Sequence, residues 1–228
     1  MRIRSGLVGL PARTASTARR FGVVVSLVLL GCGQPASANE PPAIANAQSS
    51  APAAAAALQG QPLVEALRRG GWVVYFRHTA TDFSRNDAAM RGYDDCANQR
   101  LLSPQGRRDA AEIGQHIRGM GLPVGEALAS PFCRTLEHAR LMLPGVVPRH
   151  EIREAEGGDY AGLKRLLASP VAAGGNRWIV GHGTPFRAVA GPPHLAEGEA
   201  VVIRPEVTGW TVVARLNVAD WQALPPGR

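Results

Sequence analysis

From residue 72 onward, short continuous apolar runs alternate with longer stretches whose apolar positions recur every three or four residues. Trp72-Val73-Val74-Tyr75-Phe76, led in by Gly70-Gly71 and ended by Arg77-His78, predicts a strand buried on both faces, as in the middle of a parallel sheet. Leu101 to Gly121 predicts a helix: Ser103 can cap it, Pro104 suits its first turn, and Ala110, Ile113, Ile117 and Met120 form one stripe before Gly121 closes it. Val124 to Ala129 predicts a short strand, and Ser130-Pro131 leads into a second helix with the stripe Phe132, Leu136, Ala139 and Leu143. Further along come a helix over Tyr160 to Ala168, a buried strand over Arg177 to Val180 and a short helix opened by Thr184-Pro185. Ala200 to Arg204 and Trp210 to Leu216, with a turn between them, predict a closing antiparallel pair. The alternation predicts a three-layer α/β/α fold around a mixed, mostly parallel sheet, with ligands at the carboxyl ends of its strands.

The first quarter of the chain carries a different pattern. Five arginines lie before residue 32, with no acidic residue among them, and the apolar run Phe21 to Leu30 ends in Leu29-Leu30-Gly31-Cys32. Ten apolar residues are too few to cross a bilayer, so residues 1–31 read as an export signal rather than a span. Leu-Leu-Gly-Cys resembles the lipobox of bacterial lipoproteins, which implies lipidation of Cys32 and a membrane partner through that anchor, in the outer membrane because Gly33 follows. Residues 32–60, rich in Ala, Pro, Ser, Asn and Gln, cannot bury enough surface to offset their ordering entropy and read as a disordered tether. The folded domain is expected over 61–228. Removing the five leader arginines from the 25 basic residues leaves 20 against 18 acidic ones, too slight a balance to argue for a nucleic-acid partner.

Three predicted strands end in Arg77-His78, in Ser130-Pro131-Phe132-Cys133-Arg134 and in Gly181-His182-Gly183. If they are sheet neighbours, two arginines and two histidines meet at one edge and form an anion site. Guanidinium forks match phosphate oxygens, and Arg134 would lie in the first turn of a helix, where free N–H groups also favour an anion. Imidazole can act as a nucleophile towards phosphorus, which singles out phosphate among anions.

The ordered set Phe76-Arg77-His78-Thr79, Leu102-Ser103-Pro104-Gln105-Gly106-Arg107, Ala129-Ser130-Pro131-Phe132-Cys133-Arg134-Thr135 and Ile179-Val180-Gly181-His182-Gly183 resembles the signature of the histidine phosphatase, or phosphoglycerate-mutase-like, superfamily. The resemblance implies that His78 attacks phosphorus and becomes phosphohistidine, while Arg77, Arg134 and His182 bind the phosphoryl oxygens. It implies no metal or other cofactor. Two positions depart from the family pattern: Thr79 stands in place of a glycine, and a family asparagine falls on Ser84, with Asn86 nearby. Ile152-Arg153-Glu154 resembles the stretch that holds the family's acid, which makes Glu154 the candidate proton donor and Asp82 the alternative.

Cys96 and Cys133 remain once Cys32 is set aside. In an exported domain they suggest a disulfide closing a loop of 37 residues, the other reading being two buried thiols. Neither begins a Cys-x5-Arg, so cysteine-nucleophile phosphatase chemistry is excluded. The six histidines lack metal-ligand spacing, no Gly-x-Ser-x-Gly elbow or Walker loop occurs, and His116 and His138 read as surface residues of helices. The expected function is phosphomonoester hydrolysis on a small phosphorylated molecule or glycan outside the cytoplasm. The rival is a silent tethered module that only binds phospho-ligands in the same pocket.

Overall fold

A computed structural model describes residues 57–154 and 158–226. The expected signal peptide, Cys32 and most of the tether lie outside these residues, as does the carboxylate of Glu156. The six strands are β1 (Val73–Arg77), β2 (Val124–Ala129), β3 (Val147–Pro148), β4 (Asn176–Gly181), β5 (Ala200–Glu206) and β6 (Gly209–Leu216). They form one sheet in the order β3-β2-β4-β1-β5-β6. β3, β2, β4 and β1 run parallel, β5 pairs antiparallel to β1, and β6 antiparallel to β5.

Both faces of this sheet are covered, which is why Val73 to Phe76 of β1 and Trp178 to Val180 of β4 are apolar without interruption. Val74, Phe76, Trp178 and Val180 face one layer, built from α1 (Gly60–Arg69), α2 (Pro104–Gly119), α3 (Cys133–Met142) and α6 (Val218–Ala223). Val73, Tyr75 and Ile179 face the other, with Leu163 and Leu167 of α4 (Ala161–Ala168) and Phe186 of α5 (Gly183–Ala190). Each fully buried Leu, Ile or Phe contributes about 1.5–3 kcal/mol of transfer free energy, so the two stripes together hold the helices to the sheet.

The expected helices and strands are present at nearly the expected bounds. Ser103 Oγ accepts from the Gly106 amide at 3.0 Å and Pro104 opens α2. The domain begins slightly before Gln61, because the Leu58 amide donates to the Val213 carbonyl at 2.8 Å and its side chain packs on the core. One expectation is overturned: His138 is fully buried, since the inward stripe of α3 runs through Thr135, His138, Ala139 and Met142, whereas His116 keeps part of its surface exposed.

Candidate active site

Since β2, β4 and β1 are adjacent and parallel, their carboxyl ends deliver Ser130, His182 and His78 to one edge of the sheet. Arg77, His78, Arg134 and His182 line a single cavity of about 230 Å³, together with Arg100, Arg153, His194 and Gly183-Thr184-Pro185 at the start of α5. A hollow of about 700 Å³ lies beside the β5–β6 turn, but Arg165 and Glu206 are the only charged residues in its lining, which holds no histidine or cysteine. Convergent chemistry, not volume, marks the site.

His78 directly follows β1 and is almost wholly buried. Its amide donates to the Gly181 carbonyl at 3.0 Å, and its own carbonyl accepts from the Gly198 amide at 2.9 Å. Nδ1 lies 2.9 Å from the Thr79 carbonyl, an oxygen that can only accept. The proton therefore sits on Nδ1, and Nε2 keeps its lone pair. Burial above all, with the charges of Arg134 and Arg77 adding to it, pushes the His78 pKa down to about 3, so the ring stays neutral. Glu197 Oε1 lies 4.0 Å from Nδ1, on the side away from the lone pair.

His182 sits edge-on to His78, with ring centroids 5.6 Å apart, and its Nε2 lies 2.8 Å from Ser130 Oγ. Its backbone is clamped by Tyr75, whose hydroxyl accepts from the His182 amide and donates to the His182 carbonyl, both at 2.9 Å. Burial first, then the neighbouring charges, holds its pKa well below the ordinary histidine value. Next to it Gly183 lies against His194: a Cβ there would come within 2.0 Å of His194 Cε1, so a larger residue would displace that ring.

Arg134 occupies the first turn of α3 and is 5 % exposed. Its Nη1 donates to Asp87 Oδ1 at 3.0 Å, and its guanidinium lies over the Phe132 ring at 4.5 Å. Arg77 is held by the loop that returns to β5: it donates to the Leu195 carbonyl at 2.7 Å and pairs with Glu197 at 3.5 Å. The Leu-Ser-Pro-Gln-Gly motif acts from behind. The Ser103 amide donates to the Ala80 carbonyl at 2.9 Å, and a Cβ on Gly106 would come within 2.1 Å of that oxygen, so α2 abuts the backbone two residues past His78.

Cys96 and Cys133 are bonded to each other, tying the loop after β1 to the residue before Arg134. The two acid candidates do not line the cavity. Glu154 is exposed beside Arg153; its Oε1 accepts from the Tyr93 hydroxyl at 2.6 Å and lies 3.3 Å from His150 Nδ1. That Tyr93 bond, first, lowers its pKa. Asp82 accepts from the Ser84 hydroxyl at 2.7 Å, which lowers its pKa likewise. Ser84 is thereby spent on Asp82, and Asn86 accepts from the Ala88 amide, so neither reaches the cavity. Arg100, Arg153 and His194 were not singled out in the sequence. Arg100 directly precedes the Leu-Leu-Ser-Pro motif and Arg153 directly precedes Glu154, so motif adjacency was a usable signal for both. His194 is brought in by a loop with no local pattern.

The sequence profile of the Histidine phosphatase superfamily (branch 1) matches residues 73–170. The matched stretch holds Arg77, His78 and Arg134 and is similar to that superfamily; His182, beyond it, is delivered to the same cavity by β4. No curated protein sequence matches it. Similar solved structures include the protein histidine phosphatase SixA complexed with tungstate, 16% identical, covering 65% of this chain and 98% of that one with a TM-score of 0.48. Another is the phosphoserine phosphatase of Entamoeba histolytica with 3-phosphoglyceric acid, 12% identical over 66% and 98% of the two chains, with a TM-score of 0.45. The alpha-ribazole phosphatase of Shigella flexneri is 14% identical over 62% and 94%, with a TM-score of 0.42.

Proposed function

We propose that the protein hydrolyses phosphomonoesters through a phosphohistidine on His78. The observation that carries this reading is the Nδ1 contact with the Thr79 carbonyl, which leaves Nε2 as a neutral nucleophile at the wall of a cavity lined by guanidinium groups. In the first step Nε2 forms a bond to phosphorus as the ester P–O bond breaks, and the leaving oxygen takes a proton. In the second, water returns a proton to the group that protonated the leaving oxygen and attacks phosphorus, the P–N bond breaks, and orthophosphate leaves with His78 again neutral. Arg77, Arg134 and the amides at the start of α5 meet the charge that builds on the equatorial oxygens. Glu197 faces the far side of the ring, where it offsets the positive charge that His78 acquires once Nε2 is phosphorylated.

Glu154 is the proposed proton donor. It is a carboxylate held by Tyr93 outside the cavity lining, one residue from Arg153, so a leaving group that projects out of the cavity past Arg153 would reach it, and the nearby phosphate dianion would oppose its ionisation. The Leu29-Leu30-Gly31-Cys32 run supports export and a lipid anchor at Cys32, and hence a substrate outside the cytoplasm, a phosphorylated small molecule or glycan. Hydrolysis fits that setting better than transfer between metabolites, because water is the acceptor always present there.

The test is rapid acid-quench of the enzyme with radiolabelled p-nitrophenyl phosphate. Wild type should yield an acid-labile phosphoenzyme. His78→Asn should lose it, with turnover down at least about 1,000-fold. Retention of more than a tenth of the activity by His78→Asn would overturn the mechanism.

A further inference from the structure

A single phosphoryl group needs fewer cations than this cavity supplies. Of its four arginines, Arg77 pairs with Glu197 and Arg134 with Asp87. Arg100 and Arg153 have no ion pair among the described residues. Arg100 lies with its guanidinium over the Phe83 ring at 4.7 Å, and Arg153 lies 5.7 Å from the ring of Phe132. Aromatic faces hold a guanidinium in place without neutralising it or occupying its in-plane N–H groups. Asp87 Oδ1 does reach residue 100, but at its backbone amide, 2.9 Å away, so the side chain gains no hydrogen bond from it. Glu154, the next residue along the chain from Arg153, makes its hydrogen bonds to Tyr93 and His150. The Nε groups of Arg100 and Arg134 are buried with no protein acceptor among the described residues, which is costly unless a ligand supplies one.

The placement of the spare pair is also particular. Phe132 is shared: Arg134 covers its ring at 4.5 Å, Arg153 approaches it at 5.7 Å and His182 packs on it edge-on at 5.1 Å. Arg153 is thereby fixed on the His182 and Arg134 side of the cavity. The Arg100 backbone adjoins the same place, its carbonyl accepting from Arg134 Nη1 at 3.3 Å. Arg77 flanks the opposite side, next to His78 and the Glu197 loop. The charges confirm this division. His182 is lowered first by burial and then by His78, Arg134, Arg153 and Arg100, whereas the arginines that act on His78 after burial are Arg134 and Arg77. A phosphoryl group in reach of His78 Nε2 is met by Arg77, Arg134 and His182. Arg100 and Arg153 stand beyond it.

We infer that Arg100 and Arg153 form a second anion subsite, so that the preferred substrate carries another phosphate or carboxylate close to the scissile phosphoryl group. This rests on the hydrolase reading for its biological meaning but not for its test. The cavity of about 230 Å³ is smaller than the usual ligand pocket, which sets the second group within a few bonds of the first. Compact diphosphates and vicinal phospho-carboxylates are the class that fits.

Calorimetric binding to the full-length chain tests this with three probes: methylphosphonate, with one anionic group, methylenediphosphonate, and phosphonoacetate. Wild type should bind at least one of the two double anions about tenfold more tightly than methylphosphonate, and Arg153→Gln should lower that ratio about fivefold or more. The arm that gains most tells phosphate from carboxylate, and Arg153→Lys, which keeps charge but loses the fork, should fall between. Equal binding of all three probes by wild type, or an unchanged ratio in Arg153→Gln, would overturn the subsite. These readouts require no turnover, so they stand apart from whether p-nitrophenyl phosphate is hydrolysed.

Discussion

Lowering the pH should unfold this domain through its buried histidines, and His138 is the one whose share can be isolated. Its ring is wholly buried, and burial pushes its pKa down to about 3, as it does for His78. An unfolded chain protonates both near the ordinary value of about 6.5. Between that pH and about 3 the unfolded state binds more protons than the native one, so stability falls as the solution is acidified through this window. At pH 4.5, about two units below the ordinary value, each ring forfeits roughly 3 kcal/mol, and the pair about 6 kcal/mol. That is comparable with the whole stability of a typical domain. Gln at position 138 can still accept from the Thr79 amide, which now donates to His138 Nδ1 at 3.3 Å, and it does not titrate. Urea unfolding of wild type and His138→Gln at pH 7 and pH 4.5 gives four free energies. The loss on acidification should be smaller in the variant by about 3 kcal/mol, while the shared carboxylates cancel in the comparison. An equal loss in both proteins would refute the assignment of His138 as a neutral buried ring. The same reasoning reaches catalysis: a His78 that stays unprotonated down to about pH 3 cannot set an acidic limb of activity at pH 5 or 6.

Three further outcomes follow from the site and the leader. Opening the Cys96–Cys133 bond with Cys96→Ser/Cys133→Ser should cost about 4 kcal/mol by loop-closure entropy, read as a lower urea midpoint. It should also weaken phosphate binding, because the bond adjoins Arg134; unchanged stability and affinity would count against both effects. Glu154→Gln should slow an alkyl phosphate about 100-fold or more yet barely affect p-nitrophenyl phosphate, whose phenolate leaves without a proton. If Asp82→Asn shows that selective loss instead, the donor is Asp82. Cys32→Ser should abolish lipid labelling and membrane partition in a bacterial host, and identical processing of both forms would remove the anchor.

What was legible in the sequence is what local rules determine. The apolar run of β1 and β4, the Ser103-Pro104 start of α2 and the stripe Ala110, Ile113, Ile117 each follow from one element's own geometry. Sheet adjacency then put His78, Arg134 and His182 together without further information, because residues just past parallel neighbouring strands share one edge. α6 also has a local signal in the sequence, the capping box that Asn217 and Asp220 form before the buried Trp221. α1 carries a clear inward face, Leu63, Val64 and Leu67, at the border of a low-complexity segment that masked it. His138 failed for another reason. A histidine has no intrinsic side of a helix, and its burial depends on the Thr79 amide arriving from β1 to use Nδ1 as an acceptor.

The residues least visible in the sequence are those of the returning loop between α5 and β5. Leu195 and Glu197 grip Arg77, Glu197 stands behind His78 and accepts from the Thr81 hydroxyl at 2.8 Å, and His194 closes on Gly183. No motif announces them, since each contact crosses more than a hundred residues of chain to β1 and its loop or is set by the path of a turn. Glu197 therefore has a role only the fold could reveal. In the proposed mechanism, a carboxylate beside Arg77 and behind His78 keeps the guanidinium oriented and supplies the counter-charge the ring would need as phosphohistidine. The charge that Arg77 offers to substrate is correspondingly tempered, as Asp87 tempers that of Arg134, which leaves Arg100 and Arg153 to provide most of the attraction that draws an anion in.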